Sequence, residues 1–200
     1  MTVTERPPLT RERIADAAVG FIDAHGLDAL SMRKLGAELG VEAMSLYNHV
    51  ANKADLLDAV SDRLYAEVLV AYGDPTGDWK ERARALSHAY VDVAAAHPNA
   101  VTLLIHPASG SAAAQQFDER IVAAAALMTD DPRVGTFAFV TVANWVIGTI
   151  VTEHGIVPTA SGRPRDDDDP IQHAADLLSA EEKFDEGLEV VLAGLEARYF

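Results

Sequence analysis

The spacing of apolar residues is the feature of this chain that most restricts its fold. Apolar side chains recur at intervals of three and four residues over almost the whole sequence, which is the period of an amphipathic α-helix. The dipeptides Asn-Gly and Asp-Gly, typical of tight β-hairpins, do not occur. The sequence therefore predicts an all-α fold, and its 200 residues, 49% of them hydrophobic, suffice for one substantial core or two small ones.

Capping residues divide the chain into helices of unequal length. Thr10, Ser31 and Asn52 can each accept a hydrogen bond from a backbone N–H at the start of a helix. Gly26 and Gly40 end the first two helices. The predicted helices span residues 10–25, 31–39, 42–49, 53–72, 79–96, 111–128, 132–153, 171–178 and 180–199, with a short one after Pro98.

Residues 31–50 predict two short helices joined by a tight turn. Gly40 can adopt the positive φ that the turn needs, and Gly36, four residues earlier, is small enough for the second helix to approach closely. The apolar residues shared by both helices are Leu35, Leu39, Val41, Leu46 and Val50. This pattern predicts a helix-turn-helix, whose second helix enters a DNA major groove. The side chains left outside the shared core are Ala43, Met44, Ser45, Tyr47, Asn48 and His49.

Charge is distributed unevenly along the chain. The formal net charge is −15, which excludes a protein that coats nucleic acid over its whole surface. Residues 1–53 contain six basic and seven acidic side chains and so carry −1 of this charge, whereas the other residues carry −14. We therefore expect DNA to approach only the N-terminal part, through a few phosphate contacts that a dimer doubles.

A family resemblance is carried by the run Leu46-Tyr47-Asn48-His49-Val50-Ala51-Asn52-Lys53, preceded by Met32-Arg33-Lys34-Leu35. Over about residues 9–60 the chain resembles the TetR family of bacterial transcription regulators. The resemblance implies that Tyr47, His49 and Lys53 clamp phosphates of the operator. It implies that Arg33 reads a guanine, for which a bidentate arginine contact is the expected geometry. It also places Ala43, Met44 and Asn48 on base-facing positions.

The second half resembles the same family more loosely. Its helix count and acidic character, together with Trp79, Gly148 and Glu153, resemble the tetracycline-repressor-like subgroup, which implies a ligand-binding domain. We expect a helix-turn-helix DNA-binding domain at residues 1–55 and an effector-binding and dimerisation domain at 56–200. Of the positions that bind magnesium-tetracycline in that subgroup, Glu153 alone keeps register, so we expect a different effector.

A small, largely apolar effector is expected to bind among the helices of the second half. Such a site requires an apolar cavity with a few polar anchors. The candidate residues are Tyr90, Leu104, His106, Phe117, Asn144, Trp145 and Glu153. We expect neither a metal nor a cofactor, since the available group, His97, His106, Glu153 and His154, consists of scattered side chains of a kind that is usually structural or solvated. Ser109-Gly110-Ser111 lacks the preceding strand of a nucleophile elbow, and nothing else indicates catalysis.

Residues 134–152 contain no charged side chain. Such a stretch is long enough to cross a membrane, but polar residues interrupt it, and an all-round apolar helix is typical of a core or a subunit interface. We expect a homodimer formed through the helices at 132–153 and 180–199, and no membrane partner. The chain has no cysteine and no apolar signal segment at its start, which fits a cytoplasmic protein.

Two hypotheses of function follow. The first is a repressor that binds a palindromic double-stranded DNA operator as a homodimer and is released by a small-molecule effector. The alternative is a helical ligand- or metal-binding protein, with or without enzymatic activity, in which the N-terminal helices are only structural. The positions of Arg33, Tyr47, His49 and Lys53 favour the first hypothesis, because the second gives no reason for operator-contact spacing.

Overall fold

The computed structural model describes residues 7–73, 75–105, 112–153 and 178–199, and every regular element within these ranges is helical. The predicted all-α fold is therefore confirmed for this part of the chain. In chain order the α-helices are α1 Arg11–His25, α2 Met32–Leu39, α3 Ala43–Leu46, α4 Lys53–Tyr72, α5 Trp79–Ala96, α6 Val101–Ile105, α7 Ala112–Ala126, α8 Pro132–Glu153 and α9 Ala180–Tyr199, with a 3-10 turn at Leu27–Ala29.

The three predicted N-terminal caps are present. The hydroxyl oxygens of Thr10 and Ser31 accept hydrogen bonds from backbone N–H groups three residues on, at 3.2 and 3.3 Å. The side-chain oxygen of Asn52 accepts from the N–H of Asp55 at 3.0 Å. Each bond satisfies a donor that has no partner inside its own helix, which fixes where α1, α2 and α4 begin.

The third helix is shorter than the sequence predicted. It comprises only Ala43–Leu46, and residues 47–49 form a turn. The carbonyl oxygen of Leu46 accepts hydrogen bonds from both His49 and Val50, at 2.9 and 3.0 Å. Such shared acceptance tightens the last turn of a helix and ends it. The predicted helix at 171–178 lies outside the described residues.

The chain divides into two compact units. The first consists of Met1–Ala71 and Val93–Phe117, and the second of Tyr72–Asp92 and Asp118–Phe200. In the first unit the helix-turn-helix is built on fully buried aliphatic side chains from α1 to α4, including Ile14, Ile22, Leu35, Leu46, Leu56 and Leu64. The division at residues 55 and 56 that the sequence suggested stays a prediction.

Within the first unit, α4 is tied to α6 by two side chains. The hydroxyl of Ser61 donates to the carbonyl oxygen of Leu103 at 2.8 Å, and that of Tyr65 donates to Leu104 at 2.8 Å. These carbonyls belong to the last turn of α6, where a helix leaves its acceptors unsatisfied. The bonds therefore hold the end of α6 against the middle of α4.

In the second unit, α9 packs against α8 and is bridged to α5. A Cβ atom on Gly187 would lie 1.9 Å from the ring of Trp145, so only glycine admits the indole at this position. Two ion pairs, Lys80 with Glu196 and Arg84 with Glu189, join α5 to α9 in antiparallel order. Further along the same two helices, the Nε2 atom of His88 lies 3.2 Å from a carboxylate oxygen of Asp185. The packing and the ion pairs fix α9 within this unit.

Candidate nucleic-acid interface

The turn between α2 and α3 requires both of its glycines. Gly40 has a φ of 66°, in the left-handed region that favours glycine. A Cβ atom on Gly36 would lie 2.9 Å from the carbonyl oxygen of Val41 and 3.2 Å from the nitrogen of Ala43, which is too close for any larger residue without movement of the backbone. The helix-turn-helix is thus as tight as its sequence predicted.

The predicted DNA-contacting side chains lie outside the core of this motif. Beneath them, Leu46 and Val50 are almost completely buried. Met44 is 73% exposed and Tyr47 43% exposed. Of the other predicted residues, Arg33, Asn48, His49 and Lys53 are exposed, whereas Ala43 and Ser45 are half-buried. The buried residues hold α3 in place, and the exposed ones are available to a partner.

The basic side chains of this region differ in what they contact. Within the described residues, the side chains of Arg33 and Lys34 form no hydrogen bond or ion pair. The ammonium group of Lys53 donates to the carbonyl oxygen of Leu30 at 2.8 Å, just before the cap of α2. Three positive side chains therefore lie near the start of α2, and no described residue pairs with Arg33 or Lys34, which leaves both available to an external group.

Arg11 is a structural residue of the site that sequence reasoning missed. Its guanidinium donates to a carboxylate oxygen of Asp55 at 2.6 Å and to the backbone carbonyl of the same residue at 3.1 Å. The other carboxylate oxygen accepts from the N–H of Ala51 at 2.6 Å. Because the arginine and then this N–H stabilise the ionised form, the pKa of Asp55 lies below its usual range. The pair fixes the turn between α3 and α4 that follows Tyr47 and His49.

The candidate effector residues are distributed over both units. In the first unit, Leu104 is buried, and the half-buried ring of Phe117 packs edge-on against Tyr65 with 5.1 Å between centroids. In the second unit Tyr90 is buried, Trp145 is half-buried, and Asn144 and Glu153 are exposed. His106 lies outside the described residues. The assignment of these residues to an effector stays a prediction.

The described part of the chain contains no group of three or more side chains placed to hold a metal ion. Of the group that the sequence singled out, His106 and His154 lie outside the described residues, as does Ser109-Gly110-Ser111. Among the described helices, α8 has the length and composition to cross a membrane. Its window of highest hydropathy, with a mean of 1.8, is only 22% buried within a single chain.

Two sequence models of one family match this chain. The first, described as bacterial regulatory proteins of the tetR family, matches residues 14–60. The second, described as the tetracyclin repressor-like C-terminal domain, matches residues 73–199. The two matches include the helix-turn-helix and most of the remaining chain.

Curated proteins show the same similarity. The chain is 40% identical over 95 residues to the HTH-type transcriptional repressor DrrR1 of Streptomyces coeruleorubidus. The aligned region covers 46% of this chain and 34% of that protein. It is 35% identical over 152 residues to an HTH-type transcriptional regulator of Saccharopolyspora erythraea, which covers 74% of this chain and 62% of the relative. The chain thus spans less than two thirds of the length of either relative.

Solved structures extend the similarity to the fold. The structure of ActR from Streptomyces coelicolor in complex with actinorhodin has a TM-score of 0.76 and 27% identity, over 96% of this chain and 99% of that one. The structure of BioQ with its natural double-stranded DNA operator has a TM-score of 0.71 and 27% identity, over 95% and 99% of the two chains.

The helix-turn-helix geometry and the family matches lead to the same conclusion for both halves of the molecule. The fold agrees along nearly the full chain, and the matched relatives are named as transcriptional repressors and regulators. The chain therefore belongs to the TetR family of bacterial transcriptional regulators.

Proposed function

We propose that the protein is a cytoplasmic repressor that binds a palindromic operator as a homodimer and leaves it when a small molecule binds, with no enzymatic activity. The observation that carries this proposal is the set of exposed side chains around a rigid α2–α3 turn, above all Arg33 and Met44. The repressor name of DrrR1 and the operator complex of BioQ support it.

We propose a division of roles among the operator contacts. The guanidinium of Arg33, which no described residue pairs, reads a guanine by two parallel hydrogen bonds in the major groove. Met44 is an apolar side chain exposed at the start of α3, and it contacts the methyl group of a thymine. Tyr47, His49 and Lys53 bind phosphates, whereas Ala43, Ser45 and Asn48 complete the contact with bases. A few such contacts suffice only when the DNA-binding domains of two chains bind the operator together.

The exposed side of α8 and α9 supports the dimer. Phe137 is 56% exposed and Val140 45% exposed, and the exposed positions Asn144 and Gly148 continue the same spacing along α8. On α9, Val190 is 71% exposed. Water would surround these apolar side chains in a single chain, and a second copy of the same face removes them from water. The pair of chains then presents two α3 helices to successive major grooves, ~34 Å apart.

We propose that the effector binds against α4 in the first unit. Phe117 and Leu104 both contact Tyr65 of α4, and Lys53 at the start of the same helix belongs to the proposed operator interface. A ligand that displaces these contacts favours one position of α4 over another, which is the requirement for a change in operator affinity. The complex of ActR with actinorhodin supports an organic effector. The assignment of Tyr90, His106, Asn144, Trp145 and Glu153 to an effector stays a separate prediction.

Footprinting on the DNA that flanks the protein's own gene tests the proposal. We expect protection of two half-sites related by a two-fold axis, with centres about one helical turn apart. A labelled fragment with that site then serves for fluorescence anisotropy against a panel of apolar metabolites and antibiotics, with magnesium-tetracycline as a negative control. Protection no stronger than that of random DNA would favour the alternative, a helical ligand-binding protein whose N-terminal helices are only structural.

A further inference from the structure

A histidine outside the proposed operator interface joins three segments of the first unit. His97 follows α5 directly, and its Nδ1 atom lies 2.8 Å from a carboxylate oxygen of Asp23, near the end of α1. Its Nε2 atom lies 2.8 Å from a carboxylate oxygen of Glu67 on α4. The histidine side chain is only 15% exposed. The ring therefore connects the turn between α5 and α6 to both α1 and α4.

The contacts of both ring nitrogens with ionised carboxylates fit a protonated ring. A neutral imidazole has one N–H donor, and an ionised carboxylate can only accept, so two carboxylate contacts on opposite ring nitrogens need the imidazolium. The end of α5 also favours a positive charge, because the carbonyls of its last turn point towards it. Burial lowers the pKa of His97, but the hydrogen bonds to Asp23 and Glu67 outweigh it, and the pKa lies above its ordinary value.

The groups around the ring form a chain of alternating charge. On α4, Arg63 pairs with the second oxygen of Glu67 at 2.9 Å and with Asp16 of α1 at 2.6 Å. From the turn that carries His97, the neutral side chain of Asn99 donates to the backbone carbonyl of Asp23 at 2.9 Å. Among the described residues, the charged groups at His97 are thus Asp23 from α1 and Glu67 with Arg63 from α4, and residues 98–100 of its own turn carry no charge.

We propose that His97 is a proton-dependent latch between α4 and the turn joining α5 to α6, and that the closed latch favours operator binding. The effect of the latch on operator binding rests on the repressor function proposed above. His97 acts here as a positioning residue, because it reaches DNA only through the helices it holds. The latch is closed when the ring carries both protons and open when it carries one.

The contact that opens is the one to Glu67. When the ring loses a proton, its remaining N–H stays on Asp23, whose second carboxylate oxygen is buried without a hydrogen-bond partner among the described residues. Glu67 loses less, because it keeps Arg63. The bond from Asn99 to Asp23 does not depend on pH in this range and keeps the turn on α1. Deprotonation therefore frees α4 at Glu67, while Ser61 and Tyr65 still bind α6.

Histidine NMR on the full-length protein tests the latch without DNA. The ¹⁵N shifts of the ring nitrogens are followed from pH 5 to pH 9, and His97 is assigned by its absence in His97→Gln. We expect the titration midpoint of His97 to lie above the ordinary value of a histidine, and hydrogen exchange in α4 to accelerate as His97 loses its proton. A midpoint at or below that ordinary value, or exchange in α4 that does not follow the titration of His97, overturns the latch.

Operator affinity tests the consequence. Wild type, His97→Gln and the control His88→Gln are compared by fluorescence anisotropy over the same pH range. Exposed His49 is present in all three proteins, so the comparison cancels its contribution. We expect wild type and His88→Gln to lose about fivefold more affinity with rising pH than His97→Gln, the lower end of typical couplings. Equal slopes in all three overturn the link to DNA.

Two further outcomes are decisive as well. If His97→Gln does not fold, Glu67→Gln replaces it, because this variant removes the charge of the switching contact and leaves the histidine in place. We expect it to flatten the dependence of operator affinity on pH in the same way. An unchanged pH dependence contradicts the proposal. If no variant binds the operator at any pH, the proposed function fails, whereas the NMR and exchange measurements still decide whether the latch exists.

Discussion

Two basic residues of the proposed operator interface have different surroundings, and their roles should differ accordingly. Arg33 has a free guanidinium among the described residues, which can form the paired hydrogen bonds that distinguish guanine from other bases. Lys53 is already held by the carbonyl oxygen of Leu30 and offers its remaining N–H groups as a point charge. A point charge strengthens binding to every sequence alike, because phosphates are present throughout DNA.

We therefore expect different effects from Arg33→Ala and Lys53→Ala. Arg33→Ala should lose ~1–3 kcal/mol of discrimination against other bases at one base pair per half-site. Its binding to random DNA should be unchanged. Lys53→Ala should weaken binding to operator and to random DNA. It should also reduce the slope of log affinity against log salt concentration by about 1 for each phosphate that the lysine no longer neutralises. Lys53→Gln keeps a donor for Leu30 and separates the effect of the charge from that of the hydrogen bond. Equal weakening on specific and random DNA for Arg33→Ala would show that Arg33 contacts only phosphate.

Met44 gives a second prediction at this scale. If its exposed side chain packs on a thymine methyl group, replacing that thymine by deoxyuridine should weaken operator binding by about 0.8 kcal/mol per half-site, the value for burial of one methylene-sized group. The measurement is anisotropy with operators that carry deoxyuridine at one thymine position at a time. Met44→Ala should bind the thymine and uracil forms with more nearly equal affinity. If Met44→Ala still distinguishes thymine from uracil as strongly as wild type does, another residue contacts the methyl group.

Among the elements, the α2–α3 pair is the one whose packing is most restricted. Its glycine at position 36 faces backbone atoms at 2.9–3.3 Å, whereas Gly20 on α1 has no atom within 4 Å of an added Cβ. Backbone atoms cannot rotate away as a side chain can. The same substitution should therefore have opposite effects at the two sites.

We expect Gly36→Ala to lower the free energy of unfolding by ~1–3 kcal/mol, as overpacking does in well-packed cores. Gly20→Ala should raise it by about 0.5–1 kcal/mol, because alanine restricts the unfolded chain more and favours the helix. Urea unfolding followed by circular dichroism measures both. Since α3 is displaced directly by the added methyl group, operator affinity should fall in Gly36→Ala alone. Equal stability of the two variants would contradict the close approach of α2 and α3.

The elements also show which features a sequence can predict. Thr10, Ser31 and Asn52 each bond to a backbone group three residues away, so their caps and the helix starts could be predicted locally. Arg11 and Asp55 are 44 residues apart, and His97 and Asp23 are 74 apart. Nothing in the local pattern indicates such pairs, since the fold alone brings them together. The end of α3 was missed because it depends on two donors sharing one carbonyl.

At the scale of the whole molecule, the feature that most calls for a partner is the apolar face of α8 and α9, which the rest of the described chain leaves exposed. A helix with a mean hydropathy of 1.8 and only 22% of that window buried is poorly suited to water. Among the described residues, no atom lies within 4 Å of a Cβ added to exposed Gly148 or Gly194, so these small residues leave room on both helices for another backbone to approach. A second copy of this face, related by a two-fold axis, uses both properties.

We expect Val140→Asp and Val190→Asp each to convert a dimer into a monomer, because the dimer would have to bury a carboxylate without a partner. Val70→Asp is the matched control, since Val70 is 84% exposed on α4 and belongs to the first unit. Light scattering at micromolar concentration gives the mass, and anisotropy gives operator affinity. The two interface variants should no longer bind the operator, since the DNA-binding domain of one chain cannot occupy both half-sites. Their helix content should be unchanged. A wild-type chain that is monomeric and does not dimerise on DNA would refute the dimer, and interface variants that remain dimeric would assign it to another face.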